Sequence, residues 1–393
     1  MSLSKSQAQA LKSCLNTNDN VFVQGSAGTG KNYMLDMFKK LAPEKNIRYQ
    51  IVTPTGVSAV NAGGITIHSF FGIKGTPDLA KHEFKKMDIK FNVLVIDEIS
   101  MVNKECMLIM DKTLRMSLDE TKPMGGIRVI ALGDFHQLPP TTANGCESII
   151  YGSTLWNLLN FVQKDLFLNI RVNDQKQSAI LKLIRKGIET DEVKEFMNSK
   201  LITEKESTED KYNDFIHLFW SNKQCNKYND FRLKHLDGIE RTYEIISTEN
   251  VARNILTLKV GARVMCIKNL YRDGIMNGEC GYVKELKDKS VIAIMDNGKA
   301  VEFEYEVWMA NRNGVDEVIM QRIPLQLAWA MTISKSQGLT LDKVVLYVKP
   351  NLHPGLAYVG ISRVRNMDNF KIVGYAPGKN IFQSPTGLNG SNS

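Results

Sequence analysis

A glycine-rich segment near the amino terminus carries the clearest chemical signal in this sequence. Residues 25–32 read Gly-Ser-Ala-Gly-Thr-Gly-Lys-Asn, close to the pattern Gly-x-x-x-x-Gly-Lys-Ser/Thr. In that pattern, backbone N–H groups surround a polyphosphate, the lysine reaches its outer phosphates and the hydroxyl binds Mg²⁺. The matching positions are Gly25, Gly28, Gly30 and Lys31. The segment therefore predicts a nucleoside triphosphate site, although Asn32 stands where the metal-binding hydroxyl is expected.

Two acids follow an apolar run farther along the chain. Val93–Ile96 has the composition of a buried strand, and Asp97 and Glu98 follow it directly. A strand end beside a phosphate-binding loop is where a nucleotide hydrolase places a carboxylate for Mg²⁺. We therefore assign Asp97 to the metal and Glu98 to the attacking water. Acids that merely end a strand are the alternative, which the phosphate-binding loop upstream disfavours.

A third loop could report whether the terminal phosphate is present. Residues 133–140 read Gly-Asp-Phe-His-Gln-Leu-Pro-Pro and follow another apolar run. A glutamine on such a loop, here Gln137, can sense a γ-phosphate and transmit its presence to a neighbouring domain. An ordinary turn rich in glycine and proline is an alternative that the pattern leaves open.

Short apolar runs separated by helical stretches must position these three loops. The predicted strands are Val21–Val23, Gln50–Val52, Val93–Ile96 and Val129–Leu132, and a helix at Lys31–Leu41 follows the phosphate loop. Continuous Val, Ile and Leu runs are typical of parallel strands covered by helices on both faces. The sequence thus predicts an α/β fold, a doubly wound sheet with its ligand at the carboxyl ends of the strands.

The same alternation returns beyond residue 150 and is interrupted once. Between 259 and 322, short strands accompany the hairpin dipeptides Asn277-Gly278 and Asn297-Gly298, which indicates a small all-β insertion. Helices are predicted at Ile180–Lys186 and Asp191–Met197, and strands at Phe215–Phe219, Val344–Val348 and Phe370–Val373. We expect a first α/β domain at 1–150 with a small wedge region inserted near 72–90, a second at 151–258 and 323–383, the insertion at 259–322, and a disordered tail at 384–393.

Composition excludes several classes of protein. The chain of 393 residues has no apolar run near the ~20 residues that span a bilayer and no secretory signal, so we expect an intracellular protein without a membrane partner. Its six cysteines lack Cys-x-x-Cys spacing, which argues against a zinc site or a disulfide framework. The net charge of +8 is compatible with a polyanionic partner without establishing one.

Nine blocks of sequence, taken together, resemble one family. They occur in the order GSAGTGK, TPTGVSAVNAGGITIHSFFG, VIDEISMV, GDFHQLPP, NIRVNDQ, LKVGARVMCIKN, NGECGYV, PLQLAWAMTISKSQGLTLD and YVGISRVR. From about residue 3 to 375 the chain is similar to the Pif (petite integration frequency) helicases, superfamily-one motors related to RecD. A lone phosphate loop would be weak evidence, whereas nine ordered blocks with regular spacing are specific.

The resemblance implies a fold, an activity and partners. It implies two RecA-like motor domains, with a small β-barrel inserted in the second, that bind ATP and Mg²⁺ in the cleft between them. Such motors move 5′ to 3′ along single-stranded DNA and separate the duplex ahead, in DNA repair, recombination or replication. The expected partners are single-stranded DNA and forked or tailed duplex, with G-quadruplex and RNA–DNA hybrid as further substrates. The protein is expected to act as a monomer.

The resemblance also assigns roles residue by residue. It implies that Asp97 and Asn32 bind Mg²⁺ and that Arg171 and Arg363 reach across from the second domain. The catalytic set is then Lys31, Asp97, Glu98, Gln137, Arg171 and Arg363. The residues placed at the nucleotide are Gln7, Gly25, Ala27, Gly28, Thr29, Gly30, Lys31, Asn32 and Gln337. The residues placed at the DNA are Pro54, Thr55, Thr66, His68, Phe70, Thr332, Ser334 and Lys335.

Several residues have a structural interpretation that stays open beside the functional one. Ser4 and Gln7 have the spacing of a helix capping box, so Gln7 could cap a helix, read adenine, or do both. Phenylalanines such as Phe70 and Phe71 are more typical of a core than of a stacking surface. His68 and His136 are more typical of hydrogen-bonded loops than of metal ligands. Core packing is the expected role of Met101, Met107, Met110, Met116, Trp220 and Trp329.

Three positions depart from the family pattern, and other functions stay open. Asn32 replaces Ser or Thr, Ser334 replaces the usual His, and Gly360 replaces the usual Ala. We expect Asn32 to weaken metal binding and Gly360 to loosen the start of its helix.

Asn32 leaves open an alternative function, in which the protein binds ATP and single-stranded DNA but hydrolyses ATP weakly. An RNA-directed motor or a nuclease subunit is a further alternative, whereas the Gly-Lys ending of the loop excludes a dinucleotide-binding oxidoreductase.

Overall fold

The computed structural model divides into two compact units, each described below by itself. The first unit comprises Met1–Glu209 and Ser336–Ser393, and the second comprises Asp210–Lys335. The structure describes residues 3–55, 58–59, 62–140, 149–167, 175–247, 255–268, 270–275, 278–312, 315–339, 341–364 and 366–385. Every residue predicted to bind the nucleotide therefore lies in the first unit.

A parallel sheet of six strands forms the centre of the first unit. Its strands are β1 (Val21–Gly25), β2 (Tyr49–Thr53), β3 (Ile65–Thr66), β4 (Val93–Ile96), β5 (Arg128–Gly133) and β6 (Val162–Leu166). They pair in the order β3-β2-β4-β5-β1-β6, and every pairing is parallel. Because β4, β5 and β1 are neighbours, the loops at their carboxyl ends meet at one edge of the sheet.

Helices cover both faces of this sheet. They are α1 (Lys5–Asn16), α2 (Lys31–Leu41), α3 (Ile67–Phe71), α4 (Lys104–Ser117) and α5 (Thr154–Leu159). Two further helices of this unit are α6 (Gln175–Arg185) and α7 (Asp191–Lys200). Successive side chains of a strand point to opposite faces. Accordingly Phe22 belongs to the core cluster of Met107, on α4, whereas Val23 belongs to that of Phe38, on α2. The predicted doubly wound α/β sheet is confirmed.

The second unit is mainly antiparallel. It begins with β7 (Ile216–Phe219) and α8 (Asn222–Lys234), followed by β8 (Glu240–Glu244), β9 (Ile246–Ser247), β10 (Ile255–Lys259), β11 (Arg263–Cys266), β12 (Cys280–Leu286), β13 (Ser290–Met295), β14 (Ala300–Glu304), β15 (Glu306–Arg312), β16 (Val315–Arg322), β17 (Leu325–Leu327) and β18 (Ala330–Thr332). One antiparallel sheet has the order β14-β13-β12-β11-β17 and another the order β15-β16-β9, while β8 pairs with β10 and β7 pairs in parallel with β18.

The antiparallel strands begin upstream of the predicted start of the insertion. The sequence predicts that start at residue 259, but β8 begins at Glu240 and pairs with β10. The predicted hairpin at Asn297-Gly298 joins β13 to β14, with Gly298 at φ 85°. The other predicted turn includes Asn277, which lies outside the described residues.

The rest of the first unit comprises β19 (Val344–Tyr347), α9 (Leu356–Ile361) and β20 (Phe370–Val373), with β19 and β20 in parallel pairing. The described chain continues to residue 385. Ser384 is 8% exposed and its Oγ lies 2.8 Å from Nδ1 of His136. The predicted disordered tail is therefore wrong at Ser384, and residues 386–393 lie outside the described part.

Other sequence predictions of core packing have mixed outcomes. Met107, Met110 and Trp329 are buried, as predicted. Met101, Met116 and Trp220 are only half-buried, which corrects the prediction that they belong to the core.

Residues 72–90, all of them described, form no helix or strand. Within the described chain, no helix has the length and apolar character that a membrane span requires.

Candidate active site

The phosphate-binding loop joins β1 to α2 and depends on its glycines. Gly28 and Gly30 have φ angles of 81° and 77°, in the left-handed region that disfavours other residues. A Cβ atom on Gly25 would lie 2.4 Å from the hydroxyl oxygen of Thr29. The tight backbone path of the loop therefore requires glycine at all three positions.

The Lys31 ammonium lies inside this loop. Its Nζ donates to the carbonyl oxygens of Gly25 at 2.6 Å and of Ser26 at 3.3 Å, and the residue is only 9% exposed. Hydrogen bonds from an ammonium to charged phosphate oxygens are stronger than those to neutral carbonyls. A triphosphate in the loop would therefore replace the carbonyls as partners of Lys31.

Gln7 connects α1 to the same loop. The Ser4 N–H donates to Oε1 of Gln7 at 2.8 Å, and the Gln7 N–H donates to Oγ of Ser4 at 3.3 Å, so the predicted capping box is confirmed. Nε2 of Gln7 donates to the Thr29 carbonyl oxygen at 3.0 Å. Both polar ends of this side chain bond within the chain, and its contact with adenine stays a prediction.

Asp97 and Glu98 follow β4, which is separated from β1 in the sheet by β5 alone. Asp97 is 5% exposed, and Glu98 has a positive φ of 54° that turns the chain sharply after the strand. Burial raises the pKa of Asp97 to about 7, Glu98 adds to the rise, and the Lys31 ammonium opposes it. A carboxyl group so placed favours a cation, because a divalent ion would offset both the burial and the neighbouring charge.

Two unpaired polar atoms lie beside these acids. Nε2 of Gln337 donates to Oε2 of Glu98 at 3.4 Å. Oε1 of Gln337 and the hydroxyl of Ser100 are buried and have no hydrogen-bond partner within the described residues. Buried polar atoms are normally paired, so these two indicate a place for water, phosphate oxygen or metal. The donor set of this chain thus fits ATP and Mg²⁺.

Asn32 is the second predicted metal ligand. It lies exposed in the first turn of α2, and its side chain makes no hydrogen bond within the described part of the chain. An amide oxygen is an acceptable ligand for Mg²⁺. The amide extends farther from the backbone than a hydroxyl does, so it would meet the ion in a different position.

Gln137 lies in the loop after β5 and is held by Asp134. Its Nε2 donates to Oδ2 of Asp134 at 3.3 Å, and its N–H donates to the Asp134 carbonyl oxygen at 2.9 Å. Asp134 is completely buried and also binds the Arg185 guanidinium, with Nη2 of Arg185 at 2.6 Å from Oδ1. Sequence reasoning missed both Asp134 and Arg185.

Tyr358 is a further contact of the loop that sequence reasoning missed. The Ala27 N–H donates to its phenolic oxygen at 3.2 Å. Burial raises the pKa of Tyr358 to about 12, with Asp134 adding to the rise, so the phenol stays protonated. Tyr358 lies in the YVGISRVR block, but the spacing of that block gives no sign of which side chain faces the phosphate loop.

The structure describes one of the two predicted arginines, Arg363. Arg171 lies outside the described residues. Arg363 is 2% exposed, and its guanidinium donates to the Val359 carbonyl at 2.9 Å, to the Leu339 carbonyl at 3.3 Å and to the Ser362 hydroxyl at 2.8 Å. Arg363 thus joins the end of α9 to the chain before β19, and its role at the nucleotide stays a prediction.

Gly360 allows α9 to lie close to β19. A Cβ atom on Gly360 would lie 2.5 Å from Cδ1 of Leu346. The helix begins at Leu356 and ends at Ile361, so Gly360 is near its end. The expectation that Gly360 loosens the start of this helix is therefore wrong, and close packing explains the glycine.

The DNA candidates of the first unit mostly have structural partners. Hydroxyl oxygens of Thr55 and Ser58 lie 2.7 Å apart, and Thr66 caps α3 through its bond with the Ser69 N–H. Phe70 is half-buried against the core, with its ring 5.0 Å from that of Phe71, which is buried. Pro54 and His68 are half-buried, and burial lowers the pKa of His68. A DNA role for these residues stays a prediction.

The DNA candidates of the second unit lie beside a groove. Thr332 is buried at the end of β18, whereas Ser334 and Lys335 are exposed. Thr332 and Lys335 line a cavity of about 550 Å³ whose wall also includes Asn222 and Arg322. This wall includes amides, two threonine hydroxyls and two cations, which are groups that bind phosphate oxygens in proteins, together with one carboxylate and several apolar side chains.

Fold and site together define a P-loop nucleotide-binding protein. The family model described as PIF1-like helicase matches residues 2–204, and that of the DNA helicase Pif1 2B domain matches residues 243–286. The ATP-dependent DNA helicase Pif1 of Bdellovibrio bacteriovorus is 31% identical over 95% of this chain and 88% of its own length.

Solved structures give the same result. The Pif1 helicase from Bacteroides in complex with ADP-AlF3 and ssDNA is 30% identical to this chain, with a TM-score of 0.79 and coverage of 97% of this chain and 94% of that one. A structure of two coordinating Pif1 helicases at forked dsDNA is 28% identical, with a TM-score of 0.76 and coverage of 98% and 94%. The chain belongs to the PIF1-like helicase family, so the predicted resemblance, the β insertion and the enzyme class of ATP-dependent DNA helicase are confirmed.

Proposed function

We propose that this helicase hydrolyses ATP at the carboxyl edge of its six-stranded sheet and uses the cycle to move 5′ to 3′ along single-stranded DNA. One observation carries the proposal. The phosphate loop with Lys31, the acids Asp97 and Glu98, and the loop of Gln137 follow three adjacent strands, β1, β4 and β5. No other class of ligand explains a buried lysine, two adjacent acids and a polar sensor at one sheet edge as simply as a nucleoside triphosphate.

Each side chain has a distinct part in hydrolysis. Lys31 binds the outer phosphates, and Glu98 orients the attacking water and accepts its proton. Mg²⁺, held by Asp97 and Asn32, would neutralise charge on the phosphates. Gln137 senses the γ-phosphate, and Gln337 contacts Glu98 from the chain before β19. Arg171 and Arg363 are proposed to stabilise the transition state, a role worth about 10³–10⁵ in rate in related hydrolases.

DNA contacts are proposed for each unit separately. The candidates of the first unit are Pro54, Thr55, Thr66, His68 and Phe70, and those of the second are Thr332, Ser334 and Lys335. Support comes from the two cations that line the groove beside Thr332. It comes also from two solved Pif1 structures, one of the Bacteroides helicase with ssDNA and one of two coordinating helicases at forked dsDNA. We propose forked and tailed duplex as substrates of a monomeric, intracellular enzyme, with G-quadruplex and RNA–DNA hybrid as further substrates.

Unwinding of labelled duplexes with a single tail tests the proposed direction. The duplex with a 5′ tail should be unwound in the presence of ATP and Mg²⁺, and the otherwise identical duplex with a 3′ tail should not. Lys31→Ala is the control, because it removes the phosphate contact and should abolish unwinding of either substrate. Unwinding from the 3′ tail would contradict the proposal.

Asn32 supports a second candidate function. If the amide holds Mg²⁺ poorly, the chain would bind ATP and single-stranded DNA but hydrolyse ATP slowly. The exposure of Asn32, together with the lack of any side-chain hydrogen bond to it within the described residues, leaves the amide free to move. Binding of ATP without DNA-stimulated hydrolysis would favour this candidate over the motor.

A further inference from the structure

Arg185 ends α6 at a position that directs it toward the loop after β5. The Gly187 N–H donates to the Ile184 carbonyl and the Ile188 N–H to the Leu183 carbonyl, both at 3.0 Å, and Gly187 has φ 75°. This pattern is a Schellman cap, which stops a helix abruptly. Ile184 is 1% exposed, so the last turn of the helix is fixed against the core.

The guanidinium of Arg185 forms a buried, two-pronged ion pair with Asp134. Nε lies 3.1 Å from Oδ1 and 3.0 Å from Oδ2, and Nη2 lies 2.6 Å from Oδ1. The side chain of Asp134 is 0% exposed and that of Arg185 is 16% exposed. Burial raises the pKa of Asp134, but Arg185, helped by Lys31 and His136, more than offsets burial and holds that pKa below its ordinary value.

Asp134 in turn fixes the loop that carries Gln137. Oδ2 of Asp134 accepts from Nε2 of Gln137 at 3.3 Å, and Oδ1 accepts from the His136 N–H at 3.1 Å. Because Arg185 occupies both oxygens of this carboxylate, Asp134 is not free to act as a metal ligand. The ion pair between Arg185 and Asp134 therefore connects α6 with the loop that carries Gln137.

We propose that Arg185 is a positioning residue for ATP hydrolysis, which acts through Asp134 to hold Gln137 in the orientation that meets the γ-phosphate. This inference rests on the proposed function. The fork of a guanidinium matches both carboxylate oxygens, whereas the ammonium of lysine offers a single centre of charge. Loss of Arg185 leaves a buried carboxylate without its counter-ion, so the loop must rearrange, and a small displacement of a catalytic group can cost about 100-fold in rate.

Arg115 supplies a matched control for the loss of such an ion pair. Its Nε donates to Oδ2 of Asp111 at 2.8 Å within α4, and Oδ1 of Asp111 accepts from the Met124 N–H at 2.6 Å. Like Asp134, Asp111 is a buried acid that holds a backbone turn. Neither Arg115 nor Asp111 belongs to the site, so Arg115→Gln should lower thermal stability without changing the kinetics.

The test compares steady-state ATP hydrolysis of the full chain with single-stranded DNA for wild type, Arg185→Gln, Arg185→Lys and Arg115→Gln. We expect Arg185→Gln to lower kcat about 100-fold with a KM for ATP within about three-fold of wild type. Arg185→Lys should recover only part of that loss. Wild-type kcat in Arg185→Gln, or a loss no larger than that in Arg115→Gln, would overturn the proposal.

A double-mutant cycle with Gln137→Ala shows whether Arg185 acts through Gln137. If it does, Arg185→Gln should cause little further loss of kcat once Gln137 is absent. The same fold loss in both backgrounds would overturn the proposed route. If the wild type hydrolyses ATP with DNA while the losses of kcat from the two substitutions simply add, only the role of Arg185 is overturned. If the wild type does not hydrolyse ATP, the proposed function is overturned as well.

Discussion

At the scale of single residues, the phosphate loop depends on side chains that are remote in sequence. Ala27 and Tyr358 are 331 positions apart, yet the phenol accepts the N–H of Ala27. Gln7 reaches the Thr29 carbonyl from the first helix. Both contacts support the backbone of the loop from outside, so substitutions there should alter nucleotide binding without touching the reacting atoms.

Tyr358→Phe should raise the KM for ATP. Without the hydroxyl the Ala27 N–H loses its buried partner, and a hydrogen bond of this kind contributes about 0.5–1.5 kcal/mol, equivalent to about 2–10-fold in binding. The measurement is steady-state ATP hydrolysis with single-stranded DNA. Tyr347→Phe is the control, because the Tyr347 hydroxyl lies 2.7 Å from that of Ser207, equally buried but outside the site. An equal change of KM in both variants would contradict this role.

Asn32→Thr should lower the Mg²⁺ concentration that half-saturates ATP hydrolysis by about 10-fold. A threonine hydroxyl lies closer to the backbone and suits the position that the metal takes in such loops. Titration of Mg²⁺ at saturating ATP measures the effect. Asn198→Thr, at an exposed position of α7, makes the same change far from the loop. Unchanged kinetics at limiting Mg²⁺ would show that the amide serves as well as the hydroxyl.

At the scale of elements, the strands predicted from the sequence are those whose side chains are mostly buried. The bounds of β4, Val93–Ile96, agree with the prediction because each of its residues is apolar and buried between two layers of helices. β6 was missed because it lies at the sheet edge, where Val162 is 37% exposed and only Leu166 is buried. β8 was missed for a similar reason, since Tyr243 alone is buried.

Local spacing predicts only those parts of the site whose residues are close in sequence, whereas the family resemblance also placed the distant Gln7 and Gln337 at the nucleotide. The phosphate loop, Asp97 and Glu98 have a fixed local spacing that reflects one strand and one turn. Arg185 has no such signal, because a basic residue in the last turn of a helix is common on any solvent-exposed surface. Its role depends on tertiary packing, which brings the end of α6 to the loop after β5.

The stability of the second unit should fall as the pH falls below 6.5, because β7 carries a buried neutral histidine. His217 is 0% exposed, its ring stacks on Tyr228 at 4.1 Å, and its Nε2 lies 2.7 Å from the Tyr228 hydroxyl. Burial lowers the pKa of His217 from its ordinary 6.5 to about 3, with Arg232 adding to the effect. The His217 imidazole is therefore protonated at a higher pH in the unfolded chain than in the folded chain. As the pH falls from 6.5 toward about 3, protonation of the unfolded chain lowers the stability of the fold.

Hydrogen exchange of the β7 amides at pH 7.5 and 5.0 measures this dependence. From the shift in pKa, His217 should account for about 2 kcal/mol of lost stability between these two pH values. His217→Gln should remove that part of the loss, whereas His353→Gln, at an exposed site, should not. The same dependence on pH in His217→Gln and wild type would contradict the assignment.

At the scale of the whole molecule, the positive charge bears on DNA binding. The net charge is +8, and residues 259–322 have equal numbers of acids and bases, so the excess lies in the rest of the chain. Each phosphate contact from a cation releases counter-ions, so binding to single-stranded DNA weakens as salt rises. Lys335, exposed beside the groove of Thr332, is the cation best placed to make one such contact.

Lys335→Gln should reduce the salt dependence of single-stranded DNA binding. The slope of log K against log salt should fall by about 0.7, the value for one phosphate contact on a single strand. Fluorescence anisotropy with a labelled oligonucleotide across a salt series gives the slope. Lys289→Gln, an exposed lysine of the antiparallel region, should leave it unchanged. If the slope is the same in Lys335→Gln as in Lys289→Gln, Lys335 does not contact a DNA phosphate.

The most direct test of DNA-coupled ATP hydrolysis by this protein is the rate of Mg²⁺-dependent hydrolysis with and without single-stranded DNA. A motor must couple its nucleotide site to its DNA track, so we expect strong stimulation by DNA and no hydrolysis in Lys31→Ala. Hydrolysis that is absent, or that DNA leaves unchanged, would contradict the claim that this site drives movement along DNA.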